Sequence, residues 1–345
     1  MNKELFELLV ASATNKGSTN FSSEDVHEAA RKALLEAVGY TGKEVIDGRF
    51  IRAHHEQMFA IIEEVVDSIL PSQMQDMLGS FCEVKSFGRG DQVIFRVEGS
   101  NINRVKMGIV PGARGGVYRA RTLDTRDMEI PTSVWTVGYN VTLEELLSGS
   151  STLADVINAI AQGLMEKVYI EVVKALRAAY AVVPTANKGT AAGADIDLAV
   201  LDGIIRTVSA YGRPILIGFS SLIDQIKNMF PIASNNPNTP SADLDDLRSR
   251  GFVSMYKGTP VIKLPNYFLD ESNSQWIFKE DDLFVLPTDG RPVKVAMQGE
   301  AYTSEVQQPH GGREWHLHKM CGVGILFNNA IGIYRQTGTD DAGLY

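Results

Sequence analysis

Apolar residues follow different rhythms along the chain, and each rhythm predicts a different kind of element. In "SSEDVHEAARKALLEAVG" (22–39), Val26, Ala29, Ala30, Ala33, Leu34 and Val38 recur at three- and four-residue steps, the spacing of one helix face. Ser22 with Asp25 three residues on makes a capping start, and Gly39 makes a stop. "HEQMFAIIEEVVDSIL" (55–70) repeats the pattern, and Pro71 is expected to end it. Residues 1–79 therefore read as a helical arm.

At residue 80 the period drops to two. "QVIFRVE" (92–98) places Val93, Phe95 and Val97 on one face, and "RVKMGIV" (104–110), "GVYRART" (116–122) and "VWTVGYNV" (134–141) read as further strands. Glycines at 88, 90, 99, 108, 112, 115 and 116 interrupt them, which describes an extended β loop over 80–141 rather than a compact sheet. The helical rhythm then returns. From Thr152, with Asp155 three residues on, the apolar positions Leu153, Val156, Ile157, Ile160, Leu164, Val168, Val172, Leu176 and Ala179 predict a helix over 152–183. At 1.5 Å per residue it is about 48 Å long, roughly three times the average globular helix. Spanning a flat, extended domain is one use for such a helix.

Residues 184–195, "PTANKGTAAGAD", read as a linker. An α+β unit is expected over 196–300. "IDLAVLDGIIRTVSAYG" forms a helix closed by Gly212, "PILIGF" a buried strand and "SLIDQIKNMF" a second helix. A loop rich in Pro, Asn and Ser spans 229–246, and a loop of that length without structure of its own usually binds something or is disordered. "FVSMYKGTPVIKL" turns as a hairpin at Lys257-Gly258, and "DLFVLPT" and "PVKVAMQ" are strands. Strands resume over 301–335, and 336–345 reads as a tail.

Composition narrows the function classes. A content of 44% hydrophobic and 22% charged residues is ordinary for a globular protein. The net charge of −9 is a poor match for wrapping nucleic acid with the whole surface. The β loop departs from this balance: residues 80–141 carry 9 Lys/Arg against 6 Asp/Glu, or +3, so the rest carries −9 − 3 = −12. Two cysteines, Cys82 and Cys321, argue against a disulfide scaffold and for a reducing compartment. Glu4 and Glu7 interrupt the apolar N-terminus, against a signal peptide. No apolar run approaches the roughly 20 residues of a membrane span. The chain reads as soluble and intracellular, with no membrane partner.

Few motifs carry chemistry. "PGARGG" (111–116) lacks the Gly-Lys-Ser/Thr of a phosphate loop, and the tripeptide "RGD" (89–91) is short enough to arise by chance. His54-His55 lie on the polar side of a helix start. The one candidate worth weighing is "HGGREWHLHKMCGVGI" (310–325). His316 and His318 share a strand face, with Glu314 beside them and His310 beyond a Gly-Gly turn. Catalytic zinc takes about three protein ligands, and the spacing places two, so a polar strand face is the better reading. No catalytic, cofactor or metal residue is assigned.

The order of parts carries a resemblance. The segments "STLADVINAIAQGLMEKVYIEVVKAL", "GRPILIGFSSLIDQIKNM", "YKGTPVIKLPNY" and "HLHKMCGVGILFNNAIGIYR", set after a Gly-rich β loop, resemble the major capsid protein of tailed bacteriophages, whose fold is shared with encapsulin shells. The resemblance implies an α+β capsid fold. Its parts would be a helical N-terminal arm (1–79), an extended β loop and the start of the peripheral domain (80–141), and a spine helix (142–195). The axial domain (196–300), the C-terminal strands of the peripheral domain (301–335) and a tail (336–345) would complete it. It implies a structural subunit, not an enzyme, that self-assembles as hexamers and pentamers into an icosahedral head around double-stranded DNA. Its partners would be further copies of itself, a separate scaffolding protein, a portal protein, and DNA held without sequence specificity. It would be made in the host bacterial cytoplasm and end in the virion. The alternatives are an encapsulin-type compartment and, further off, a metal enzyme using His316 and His318. The basic β loop set against an acidic remainder marks Arg89, Arg96, Arg104, Lys106, Arg114, Arg119 and Arg121 as subunit-contact candidates.

Overall fold

A computed structural model of the chain describes residues 48–97, 126–139, 153–192, 195–229, 254–307, 313–326 and 328–337, together with Lys32, Glu36 and Gly39. Its first long element is helix α1, Gly48–Leu78. The helix runs straight past Pro71, where the sequence predicts a stop. Proline in a helix interior costs about 3 kcal/mol. Beyond it, however, Met74 and Leu78 are buried, and Val65, Val66, Ile69 and Leu70 are buried just before. Each such side chain is worth about 1.5–3 kcal/mol on full burial, enough to carry the helix through. This half of the expected arm is built into the core.

Four strands form one sheet in the order β1 (Cys82–Phe87), β10 (Val293–Gln307), β11 (Arg313–Ile325), β4 (Ser133–Tyr139). β1 runs parallel to β10, and the other pairs are antiparallel. β2 (Ile94–Val97) and β3 (Arg126–Glu129) form a separate antiparallel ribbon. Helix α2, Leu153–Val182, is the long helix the sequence predicts. Ile160, Leu164, Val168, Val172, Leu176 and Ala179 are its buried stripe.

The second sheet has six strands in the order β5, β12, β9, β6, β8, β7. They are β5 (Lys188–Ala192), β6 (Pro214–Gly218), β7 (Met255–Tyr256), β8 (Thr259–Lys263), β9 (Asp282–Pro287) and β12 (Gly332–Thr337). Ile215, Ile217, Phe284 and Leu286 face the core shared with α1 and α2. Leu216, Leu283 and Val285 face the opposite way, toward helices α3 (Leu198–Ser209) and α4 (Ser220–Met229). Burial on both faces explains why "PILIG" and "DLFVLP" are continuous apolar runs without alternation.

Three expectations change here. The linker at 184–195 contains strand β5, parallel to β12. Its small residues serve close packing: a Cβ on Gly189 would lie 2.3 Å from Val200 Cγ1 and 2.9 Å from Ile204 Cδ1. The boundary expected at residue 300 falls inside the single strand β10. And β12, expected to close the same sheet as the other C-terminal strands, pairs with β5 and β9 instead. Ile333 and Tyr334 are fully buried there, and a Cβ on Gly332 would meet Ile204 Cγ2 at 2.3 Å. Gln336 and Thr337 of the expected tail belong to β12, and 338–345 lie outside the described residues. The expected turn at Lys257-Gly258 is present, with both residues at positive φ and Tyr256 paired with Thr259. Among the described residues, no helix is long and apolar enough to cross a membrane.

Two charged clusters lock the layers. β10 slips register between Gln298 and Tyr302, and Gly299 takes a positive φ of 68°, the geometry of a bulge. Backbone donors at and just beyond the bulge find carboxylates on α1: Ala301 N donates to Asp67 Oδ2 at 2.8 Å, and Thr303 N, on a residue paired again with Leu317, donates to Glu63 Oε1. Buried Lys319 of β11 donates to Asp67 Oδ1 at 2.6 Å and to the Gly299 carbonyl at 2.7 Å. In the second cluster, Arg335 of β12 holds fully buried Asp282 of β9 through two bonds of 2.6 and 2.8 Å, while Arg177 of α2 reaches it at 3.3 Å. Arg335 also stacks on Tyr180 of α2, 4.2 Å from the ring centre. Burial pushes the Asp282 carboxyl up, and the two guanidinium groups oppose that shift.

Asp67→Ala leaves buried Lys319 without its counter-ion and Ala301 N–H without an acceptor. The variant is expected to lose about 3 kcal/mol of stability, read as a lower urea midpoint of the unassembled subunit.

Candidate functional site

Two of the seven basic candidates, Arg89 and Arg96, fall among the described residues. Arg104, Lys106, Arg114, Arg119 and Arg121 lie outside them. Arg96 is on the outer face of the β2–β3 ribbon, 3.4 Å from Asp127 Oδ1 across the strands. Both partners are well exposed, so the pair adds little stability and Arg96 remains open to solvent. The inner face holds the ribbon down: Val93, Phe95 and Ile130 pack with Ala296 and Leu326, and Phe87 meets the Phe95 ring edge-on at 5.6 Å. Val97 pairs with Arg126, so the two residues that flank 98–125 lie side by side.

Arg89 sits in the turn 88–91, whose geometry is local. Gly88 N donates to Asp91 Oδ2 at 3.1 Å, and Gly90 takes a positive φ of 90°. Gln298 Nε2 donates to the Asp91 carbonyl at 2.8 Å, and Thr132 Oγ1 donates to Gln298 Oε1 at 2.7 Å. The turn and the root of the ribbon are thus fastened to the strand segment next to the β10 bulge. The sequence marks the charges but not this anchorage, which joins residues about 200 positions apart.

His316 and His318 do share one face of β11, their rings 6.5 Å apart. Thr136 Oγ1 lies 2.8 Å from His318 Nδ1, and Ser304 Oγ lies 2.7 Å from His318 Nε2. Tyr302 stacks on the His318 ring at 4.7 Å. A metal could reach His318 only by displacing one of these hydroxyls. Among the described residues, no group of three or more His, Cys, Asp and Glu is placed to hold a metal ion. Cys321 is buried, and burial pushes its thiol up to about 12, which leaves no thiolate for coordination or attack. Cys82 is likewise a buried free thiol with a raised pKa. His310 lies outside the described residues. The arrangement is a hydrogen-bonded sheet face.

One surface escapes the sequence reading. The hairpin 266–278, "NYFLDESNSQWIF", leaves Tyr267, Phe268 and Leu269 exposed. An aromatic pair set between Pro265 and a run of Asp, Ser and Asn is the signal that could have marked it.

A family model described as "SPbeta prophage-derived putative capsid protein YonB" matches residues 4–335. The chain belongs to this phage capsid family. A search of curated proteins finds no match. Among solved structures, it is similar to the mature capsid of bacteriophage PhiM1 at 10% identity and a TM-score of 0.49, covering 75% of this chain and 86% of that one. It is similar to the capsid of cyanophage P-SCSP1u at 11% identity and 0.47, covering 76% and 88%. It is also similar to a virus-like particle from Pyrococcus furiosus at 14% identity and 0.42, covering 78% and 98%. At these scores the family match carries the assignment. The mixed helix-and-strand capsid subunit carries exposed Arg96 on a ribbon and hydrogen-bonded His318 in the middle of a sheet.

The His318 imidazole is held below its ordinary value, first by burial and then by neighbouring His316. The unfolded chain takes up this proton near about pH 6.5, before the folded protein does. Stability contributed here is present above that range and is lost as the pH falls through it. The thermal midpoint is expected to fall between about pH 7.5 and about pH 5.5, and to fall less in His318→Gln. Equal drops in the two proteins would assign the acid sensitivity to other groups.

Proposed function

We propose that this capsid protein is the major subunit of a phage head, assembling as hexamers and pentamers into an icosahedral shell around double-stranded DNA. The family match over residues 4–335 is the observation that carries this reading. The β2–β3 ribbon supports it physically. Two short strands make no stable unit by themselves, and the stretch they deliver, 98–125, holds Arg104, Lys106, Arg114, Arg119 and Arg121. A basic stretch whose flanking residues are paired, on a chain otherwise acidic, is suited to lie on a neighbouring subunit. In this reading the four-stranded sheet with α2 is the peripheral domain, and the six-stranded sheet with α3 and α4 is the axial domain. The shell forms around a separate scaffolding protein, carries a portal, and holds DNA without reading its sequence. The subunit does no chemistry, is made in the bacterial cytoplasm and resides in the virion.

Expression of the full chain, followed by sedimentation velocity and electron microscopy, tests the reading. Closed shells or capsomers are expected. A monomer that persists at high protein concentration would count decisively against it. Arg119→Glu/Arg121→Glu is expected to weaken assembly by about tenfold or more in concentration, and to do so most at low salt. Nucleic acid rather than protein cargo inside particles would separate a phage head from an encapsulin-type compartment.

A further inference from the structure

Hairpin 266–278 is stiff, apolar and exposed at once. Its arms are held by bonds from Ile277 N to the Tyr267 carbonyl at 2.9 Å and from Leu269 N to the Gln275 carbonyl at 2.8 Å. The Asn266 side chain donates to the Phe278 carbonyl at 3.0 Å and accepts from Phe278 N at 3.2 Å. Phe268 and Trp276 stack across the arms at 3.8 Å. At the tip, the Asp270 carboxylate accepts from Gln275 N at 2.9 Å, from Ser274 N at 3.1 Å, and from the hydroxyls of Ser272 and Ser274. These bonds, led by the Ser272 hydroxyl, hold the carboxyl far below its ordinary range. At the root, Tyr169 of α2 donates to the Pro265 carbonyl and meets Tyr267 and Phe278 edge-on at 6.3 and 6.0 Å.

A floppy loop can fold its apolar residues out of water. This one cannot, and Tyr267, Phe268 and Leu269 remain 39%, 39% and 54% exposed. Such a patch marks a contact surface. The charges around it indicate what it contacts. Asp270 and Glu271 are at the tip, while exposed Lys263 and Lys279 flank the root. Among the described residues, Glu271, Lys263 and Lys279 make no ion pair. At the root, half-buried Glu280 is turned inward to Asn266 Nδ2 and Ser221 N, so the exposed charges there are the two lysines. An element whose exposed charge is acidic at one end and basic at the other is complementary to itself when copies lie head to tail.

We infer that hairpin 266–278 docks onto the same hairpin of a second copy of this chain. The tip of one lies over the root of the next, and Leu269 with the Phe268–Trp276 stack is buried between them. A contact of this kind is heterologous, and in the capsomer reading above the rotation between copies closes it as a ring. Because the hairpin is already ordered, docking costs little conformational freedom. The inference rests on the capsid reading above and names one of the contacts that reading requires.

Four variants of the full chain test it beside the wild type, by sedimentation velocity and negative-stain microscopy, with thermal melts to verify folding. They are Leu269→Glu, Glu271→Lys, Lys279→Glu and the double variant Glu271→Lys/Lys279→Glu. Leu269→Glu is expected to melt like the wild type yet remain unassembled. Each single reversal is expected to raise the concentration needed for assembly by about tenfold at low salt, and the double reversal to restore it. If the wild type assembles and Leu269→Glu assembles at the same concentration, the inference is overturned and the capsid reading stands. Should Leu269→Glu misfold, failure of the double reversal to restore assembly overturns the inference instead. A wild type that never assembles overturns the capsid reading, and the inference with it.

Discussion

The packing of this subunit depends on the bulge at 299–301, where β10 falls out of register with β11. At the bulge, Gly299 turns to positive φ and Ala301 loses its place in the ladder, while just beyond it Thr303, back in register with Leu317, also donates to α1. Buried donors without acceptors are costly. Here the acceptors come from Glu63 and Asp67, one helical turn apart on α1. Lys319 closes the group from β11 by binding both Asp67 and the Gly299 carbonyl. The bulge therefore dictates where α1 lies. That position in turn sets the groove in which the stripe of α2 is buried. The same stretch of β10 anchors the ribbon, through Gln298 and the turn at 88–91.

The molecule is built as two sheets sharing one core. α1 and α2 lie between the four-stranded sheet and one face of the six-stranded sheet. The Arg177, Asp282 and Arg335 cluster ties α2 to the second sheet in register. The rim features differ in character. The ribbon offers exposed charge but little core of its own, whereas the hairpin 266–278 offers a preorganised apolar knob. The histidine ladder of β11, which is the only stretch whose residue types invite a catalytic interpretation, is satisfied by Thr136 and Ser304 and belongs to the sheet.

The helical stripe of α2, the buried run of β6 and the turn at Lys257-Gly258 were legible in the sequence, because each is dictated by neighbours a few positions away. So was the family resemblance, which rests on the order of such elements. Pro71 misled because a local penalty was outweighed by burial of Met74 and Leu78, a gain invisible until α1 meets its sheet. "KGTAA" misled because glycine and alanine mean flexibility in isolation but close approach beneath α3. Of the contact candidates, the charge pattern of the β loop was evident. The hairpin was not, since an exposed Phe268 and a buried Phe278 look alike in a string of letters.

The sequence by itself determined the long helix α2 and the buried strand β6, where charge collects, and which class of protein the chain resembles. Those properties follow from side-chain spacing and type along a single stretch. The tertiary structure alone decided that β12 joins the six-stranded sheet, that β10 bulges under α1, and that His318 is occupied by hydroxyls. Each of these is a pairing between groups tens to hundreds of residues apart. The energy that selects such pairings comes from burial and from satisfying polar groups in three dimensions, and neither quantity is defined until the chain has closed on itself.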